Sequence, residues 1–170
     1  MGHIRPQPAV SAWPWKRAVL ATLIVAVMAF IYVMSGQTAE DSSAVSSRVI
    51  EDVARIAVPG FDVLPDVEKS AVVSAYQNLA RKTAHGLEFT LLGVLLMLFW
   101  LQYPCTDIRR ILLSFGIALL YACTDEFHQL FVPGRGAQWL DVGIDALGSA
   151  AGIVLVLLGR RLFRRVVVTE

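Results

Sequence analysis

Four long apolar runs divide the chain, at about residues 18–36, 84–102, 111–131 and 139–159. Each is close to the ~20 residues a helix needs to cross a hydrocarbon core of about 30 Å. The first follows Lys16-Arg17 and gives way to Ser35-Gly36-Gln37; Tyr103-Pro104 ends the second, Pro133-Gly134 the third and Arg160-Arg161 the fourth. The third run is uncharged only from Ile111 to Thr124 and the fourth only from Ala146 to Gly159. Stretches of about 14 residues are too short to span alone. Both helices therefore reach across only by carrying Asp125, Glu126 and His128, or Asp141 and Asp145, into the membrane or its interface.

The polar segment 37–83 has its own period. Val45, Val49, Val53 and Ile56 recur at helical spacing opposite Ser46, Arg48, Glu51 and Arg55, which predicts a short amphipathic helix lying on the outer membrane surface or capping a bundle. Pro59-Gly60 breaks it, and a second helix starts near Pro65-Asp66 and runs toward the second span. The first run reads as an uncleaved anchor, because Gln37 suits the −3 position before a cleavage at Ala39 poorly.

Composition agrees with this pattern. Of 170 residues 56% are hydrophobic, mean hydropathy is +0.60 and net charge is +1, too apolar for an ordinary soluble domain. The expected fold is all-α: a polytopic bundle of four transmembrane helices over 18–159, with short tails at 1–17 and 160–170. No basic tract interleaves with aromatics, so no nucleic-acid surface is expected. Cys105 and Cys123 have no metal-ligand spacing and read as structural, and His3 as an N-terminal residue without a ligand role. Trp13, Trp15, Trp100 and Trp139 read as interfacial anchors.

Flanking charge gives the orientation. Arg5, Lys16, Arg17, Arg109, Arg110, Arg160, Arg161, Arg164 and Arg165 fall on one side, whereas Arg48, Arg55, Lys69, Arg81, Lys82 and Arg135 are spread over a longer segment that also holds seven acids. Basic residues favour the inside, so both termini are expected in the cytoplasm of a cell whose inner membrane holds the chain.

With that topology, every ionisable residue near the outer span ends falls within roughly 10 Å of one depth, at about 1.5 Å rise per residue. His85 and Glu88, Asp125 and His128, and Asp141 and Asp145 are pairs at i,i+3 or i,i+4, so each shares a helix face. A bundle buries such groups by turning them toward each other or toward a watery cleft. The inner halves offer few polar steps, which argues against an ion or proton pathway. Gly148 and Gly152 form a GxxxG in the fourth span, a device for close helix packing within the chain or between chains.

Several chemistries suit the outer pocket. Arg81, Lys82 and Arg135, with Gln37, Gln129, Asp141 and Asp145, suit an anionic lipid or a lipid-linked envelope intermediate. His85 or His128 as general base, oriented by Glu88 or Asp125 and with Glu126 alongside, suits an intramembrane enzyme acting on such a lipid. His85, Glu88, Asp125 and His128, with Asp141 or Asp145, are candidate ligands of a divalent metal. Lys82 and Arg135 paired with Glu88, Asp125 and Asp141 would instead form a purely structural network. Across the outer pocket the acids Glu88, Asp125, Glu126, Asp141 and Asp145 outnumber Arg81, Lys82 and Arg135, so the surplus needs a proton, a cation or water. Oligomeric state is open.

Three blocks carry a resemblance. Arg81-Lys82-Thr83-Ala84-His85 with Glu88, Asp125-Glu126-Phe127-His128-Gln129 with Phe131-Val132-Pro133-Gly134-Arg135, and Asp141-Val142 with Asp145, Gly148 and Gly152 resemble the VanZ-like family of bacterial membrane proteins. Ser35-Gly36-Gln37 is similar to an element ending that family's first span, while Phe89 stands where its pattern has tyrosine. The resemblance implies an integral protein of the cell envelope. It also implies a contribution to glycopeptide resistance of the teicoplanin type, the trait associated with the family's namesake.

Overall fold

The computed structural model describes residues 14–37 and 39–168; His3, Arg5 and Trp13 lie outside the described residues, as do the side chains of Val45, Ser46 and Arg165. The described chain is helical, running α1 (Pro14–Ser35), α2 (Ala39–Ala57), a 3-10 turn (Phe61–Val63), α3 (Asp66–Trp100), α4 (Asp107–Gln129) and α5 (Trp139–Val168). Four of these, α1, α3, α4 and α5, are long and apolar enough to cross a membrane. At about 1.5 Å per residue α3 is roughly 50 Å long, so its 66–80 portion projects beyond any single hydrocarbon core. The remaining helix, α2, is amphipathic and packs on α3.

The apolar stripe expected on α2 is present, and it faces away from the protein. Val49, Val53 and Ile56 are exposed, whereas Ile50 and Ala54 are buried together with Phe61 of the 3-10 turn. The two sets lie on neighbouring faces, so α2 grips the bundle by one and leaves the other free for a membrane surface. Arg55 ties the segment together through Glu51 at 3.0 Å and Asp62 at 3.2 Å. Gly60, at φ 77°, takes the left-handed conformation that turns the chain after α2.

Two ends of the bundle have different chemistry. At one end Arg110 bonds Asp107 and the carbonyls of Trp100 and Tyr103, Arg160 reaches Asp107 at 3.1 Å, and Arg17 bonds the Gln102 carbonyl at 2.9 Å. Phe99, Trp100 and Tyr103 pack edge-on or tilted against one another beside them, and Arg17 lies over the Tyr103 ring. The other end gathers His85 and His128 with Glu88, Asp125, Glu126, Asp141 and Asp145. Between the two ends Ile24, Ile31, Phe89, Leu92, Leu96, Ala118 and Ala122 form the apolar core.

Register between α3 and α5, the most extensively packed pair, is set by glycine. A Cβ on Gly148 would overlap the Gly86 backbone, one on Gly152 the backbone of Thr90 and Val94, and one on Gly93 the backbone of Ser149. Only helices without side chains at these points approach so closely. The GxxxG of the fourth span is therefore used within the chain. His85 adjoins Gly86, and Asp145 lies one turn before Gly148, so this contact brings His85 and Asp145 to one level.

Candidate functional site

Three helices supply the centre of the polar end. His85 comes from α3, Asp125 from the last turn but one of α4, and Asp145 from the second turn of α5. One ligating atom from each lies within 4.8 Å of the other two. Asp125 is 2% exposed and Asp145 1%, far more buried than carboxylates ordinarily are. The two oxygens of Asp125 are treated differently. Oδ2 accepts hydrogen bonds from Ser35 Oγ at 2.8 Å and from Gln129 Nε2 at 3.1 Å. Among the described residues no hydrogen-bond partner reaches Asp125 Oδ1, Asp145 Oδ1, Glu88 Oε2 or His85 Nδ1, all of them buried atoms.

Around this centre the remaining candidates fall into three groups. Glu88 stands beside the imidazole, with Oε2 3.7 Å from His85 Nδ1. Lys82 is ion-paired with Asp141 and reaches Gln138 Oε1 at 3.4 Å, so its charge is committed to the rim. Glu126 Oε2 accepts the backbone N–H of Gln138 at 2.8 Å, which pins the α4–α5 loop over the site. Lys82, His85, Glu126, Gln129, Asp141 and Asp145 line a cavity of about 10 Å³ that Arg81 also borders, on the order of one water or one bare ion.

Arg135 owes its position to Gly134, whose φ of 76° folds the chain back after α4. Its Nε and Nη1 are buried and have no hydrogen-bond partner among the described residues. Burial pushes this guanidinium below its ordinary value and the charge of Arg81 pushes it the same way, against the fields of Asp125 and Glu126. Both arginines also exert their fields on His85, so a basic rim overhangs the acidic centre.

Two candidates stand apart. The side chain of Gln37 turns back to Met34 Sδ at 3.6 Å and does not line the cavity. His128 stacks on Tyr32 of α1 with ring centroids 4.1 Å apart, so it braces α1 against α4 and is not among the residues lining the cavity. Two residues do more than their sequence suggests. Ser35, read only as part of the Ser-Gly-Gln element, is wholly buried and bonds Asp125; Gln138 acts through its backbone N–H, which no side-chain pattern reveals.

Beside the polar centre, Glu126 forms one wall of a second, mainly apolar cleft of about 340 Å³ between the ends of α4 and α5, with Phe127, Leu130, Ala137, Trp139 and Val142. Polar groups on one side and an apolar slot on the other, joined at one carboxylate, suit an amphiphile better than a small soluble molecule. None of the curated proteins and none of the solved structures matches the chain. A family model does, over residues 20–163, a range that includes the four candidate spans except the start of the first and the last residue of the fourth: the chain belongs to the VanZ/LLP1 family of proteins.

Proposed function

We propose that this VanZ-type membrane protein binds the phosphate or pyrophosphate headgroup of an anionic lipid or lipid-linked cell-wall intermediate at the basic rim formed by Arg81, Lys82 and Arg135. In this reading the polar end faces outward from the bacterial cytoplasmic membrane, with both termini in the cytoplasm. The observation that carries it is Arg135: two buried guanidinium donors without a hydrogen-bond partner among the described residues, beside a second arginine. A buried donor left unmade is expensive, and a planar guanidinium matches phosphate oxygens two at a time. The 340 Å³ cleft beside Glu126 receives the first part of a lipid chain. The interior cavity is too small for a headgroup, so the phosphate sits at the rim and the acids lie beneath it. Sequestering or shielding a lipid-linked precursor in this way would contribute to teicoplanin-type resistance.

The test is binding of anionic phospholipid and of polyprenyl pyrophosphate to the full chain in nanodiscs, measured by native mass spectrometry, with inorganic pyrophosphate as competitor. Lipid retention that pyrophosphate displaces is expected in the wild type, and Arg135→Gln and Lys82→Gln should each weaken it. Unchanged retention in both variants overturns the proposal. Displacement by pyrophosphate with no preference for the lipid form would place the specificity in the phosphate alone.

Acid–base chemistry on the bound lipid is a second reading, favoured by the His85–Glu88 contact at 3.7 Å. Release of phosphate or headgroup from the bound lipid, lost in Glu88→Gln, is its measurable sign.

A further inference from the structure

We propose that His85, Asp125 and Asp145 bind one divalent transition-metal ion of the manganese-to-zinc class. One imidazole with two carboxylates is a donor set for such ions, whereas calcium and magnesium prefer oxygen throughout. The donor atoms already lie within 4.8 Å of one another. Tetrahedral metal bonds of about 2.0–2.2 Å bring donors to roughly 3.3–3.6 Å apart, so closure asks the side chains to draw together by about 1 Å.

Three further observations point to a ligand. Asp125 and Asp145 are almost completely buried, and each keeps one oxygen, Oδ1, with no hydrogen-bond partner among the described residues. Asp125 is oriented as a ligating carboxylate is: Ser35 and Gln129 both donate to Oδ2, holding the group while Oδ1 stays free. Glu88 Oε2 stands 3.7 Å from His85 Nδ1, a short side-chain movement from the hydrogen bond by which a carboxylate commonly supports a metal-bound histidine.

Charge leads to the same place. Two buried carboxylates facing one another favour a compensating cation; Lys82 is already paired with Asp141, and no donor of Arg135 reaches Asp125 Oδ1 or Asp145 Oδ1. A cavity of about 10 Å³ borders His85 and Asp145, enough for a water completing the coordination. The ion would also join α3, α4 and α5 at the level set by the glycine contacts. This site uses different residues from the phosphate rim and stands or falls separately.

The full-length protein, stripped with chelator and exchanged into detergent micelles, is titrated with Co²⁺, Mn²⁺ and Zn²⁺. One equivalent of metal per chain is expected, and the Co²⁺ form should show the visible d–d bands of a nitrogen–oxygen site. His85→Ala and Asp145→Asn should each weaken binding by at least ~100-fold, and Ser35→Ala by roughly 10-fold. Asp107→Asn, at the opposite end of the bundle, should bind as wild type does. Size-exclusion chromatography and helical circular dichroism report which variants remain folded. Folded wild-type protein without saturable binding overturns the proposal, as does folded Asp145→Asn with wild-type affinity. Arg135→Gln should keep the metal while losing the lipid, so failure of one reading is distinguishable from failure of the other.

Discussion

Replacing Gly152 by alanine adds one methyl group where α5 meets α3, and the consequence can be worked from the contact itself. The new Cβ would lie 2.9 Å from the Val94 nitrogen and 3.1 Å from the Thr90 carbonyl carbon, and nearer still to the Thr90 oxygen. Each obstacle is backbone, so no rotamer change relieves the overlap. The helices must separate by about 1 Å, and gaps of 0.5–1 Å forfeit roughly a quarter to a half of each dispersion well. Overpacking of this kind costs about 1–3 kcal/mol. Alanine returns up to ~1 kcal/mol through its better helix propensity, so the net loss expected is about 1–2 kcal/mol.

The assay is reversible unfolding in mixed micelles, with Gly143→Ala as control. Gly143 lies on the same helix with no heavy atom within 4 Å of the added Cβ, so that variant should match or slightly exceed wild type. Separation of α3 from α5 also parts His85 from Asp145, so lipid and metal binding should weaken in Gly152→Ala and persist in Gly143→Ala. A Gly152→Ala protein as stable as Gly143→Ala would refute the claim that glycine contact sets this register.

Other changes test single contacts. Tyr121→Phe removes the hydrogen bond from the Tyr121 hydroxyl to the Met28 carbonyl and should cost about 1 kcal/mol in the same unfolding assay. Asp107→Asn loosens the links to Arg110 and Arg160, but that carboxylate is half exposed; a loss below ~1 kcal/mol is expected, shrinking as salt is added. Ala54→Glu puts a charge on the buried face of α2 and should release that segment from α3, raising its hydrogen exchange while the four long helices stay protected.

Much of the fold was legible because bilayer thickness and helical period leave few choices. Runs of ~20 apolar residues, short connections and one polar end sufficed to bring α3, α4 and α5 together around His85, Asp125 and Asp145. Finer placement was not legible. Asp125 and His128 share a face only loosely: an offset of three residues turns about 60° around the axis, while four turns about 40° the other way. That difference sends His128 to Tyr32 and gives Asp125 to Gln129. Ser35 was hidden because a serine ending an apolar helix looks like an ordinary terminus until a neighbouring helix supplies its acceptor. The pairing of Lys82 with Asp141 depends on how α3 and α5 are rotated, which the glycine contacts decide and the charge pattern does not.

The same asymmetry separates a binding site from a network that merely braces the bundle. In a bracing network buried acceptors meet buried donors, and removing one member strands the other at a cost of about 3–5 kcal/mol. Here Asp145 Oδ1 strands nothing, since no donor among the described residues reaches it, and its carboxylate lies amid the acids Asp125, Glu126, Asp141 and Glu88. Asp145→Asn should therefore leave the chelated protein as stable as wild type or more so, because a buried carboxyl group crowded by other acids has gone. Added metal should then raise the unfolding midpoint of wild type and leave that of Asp145→Asn unmoved, since only a ligand that binds the folded state stabilises it. A loss of several kcal/mol in chelated Asp145→Asn, with no metal-dependent shift in wild type, would return these residues to the role of internal bracing. Stability gained by removing a carboxylate and binding lost with it are what residues kept for a ligand produce.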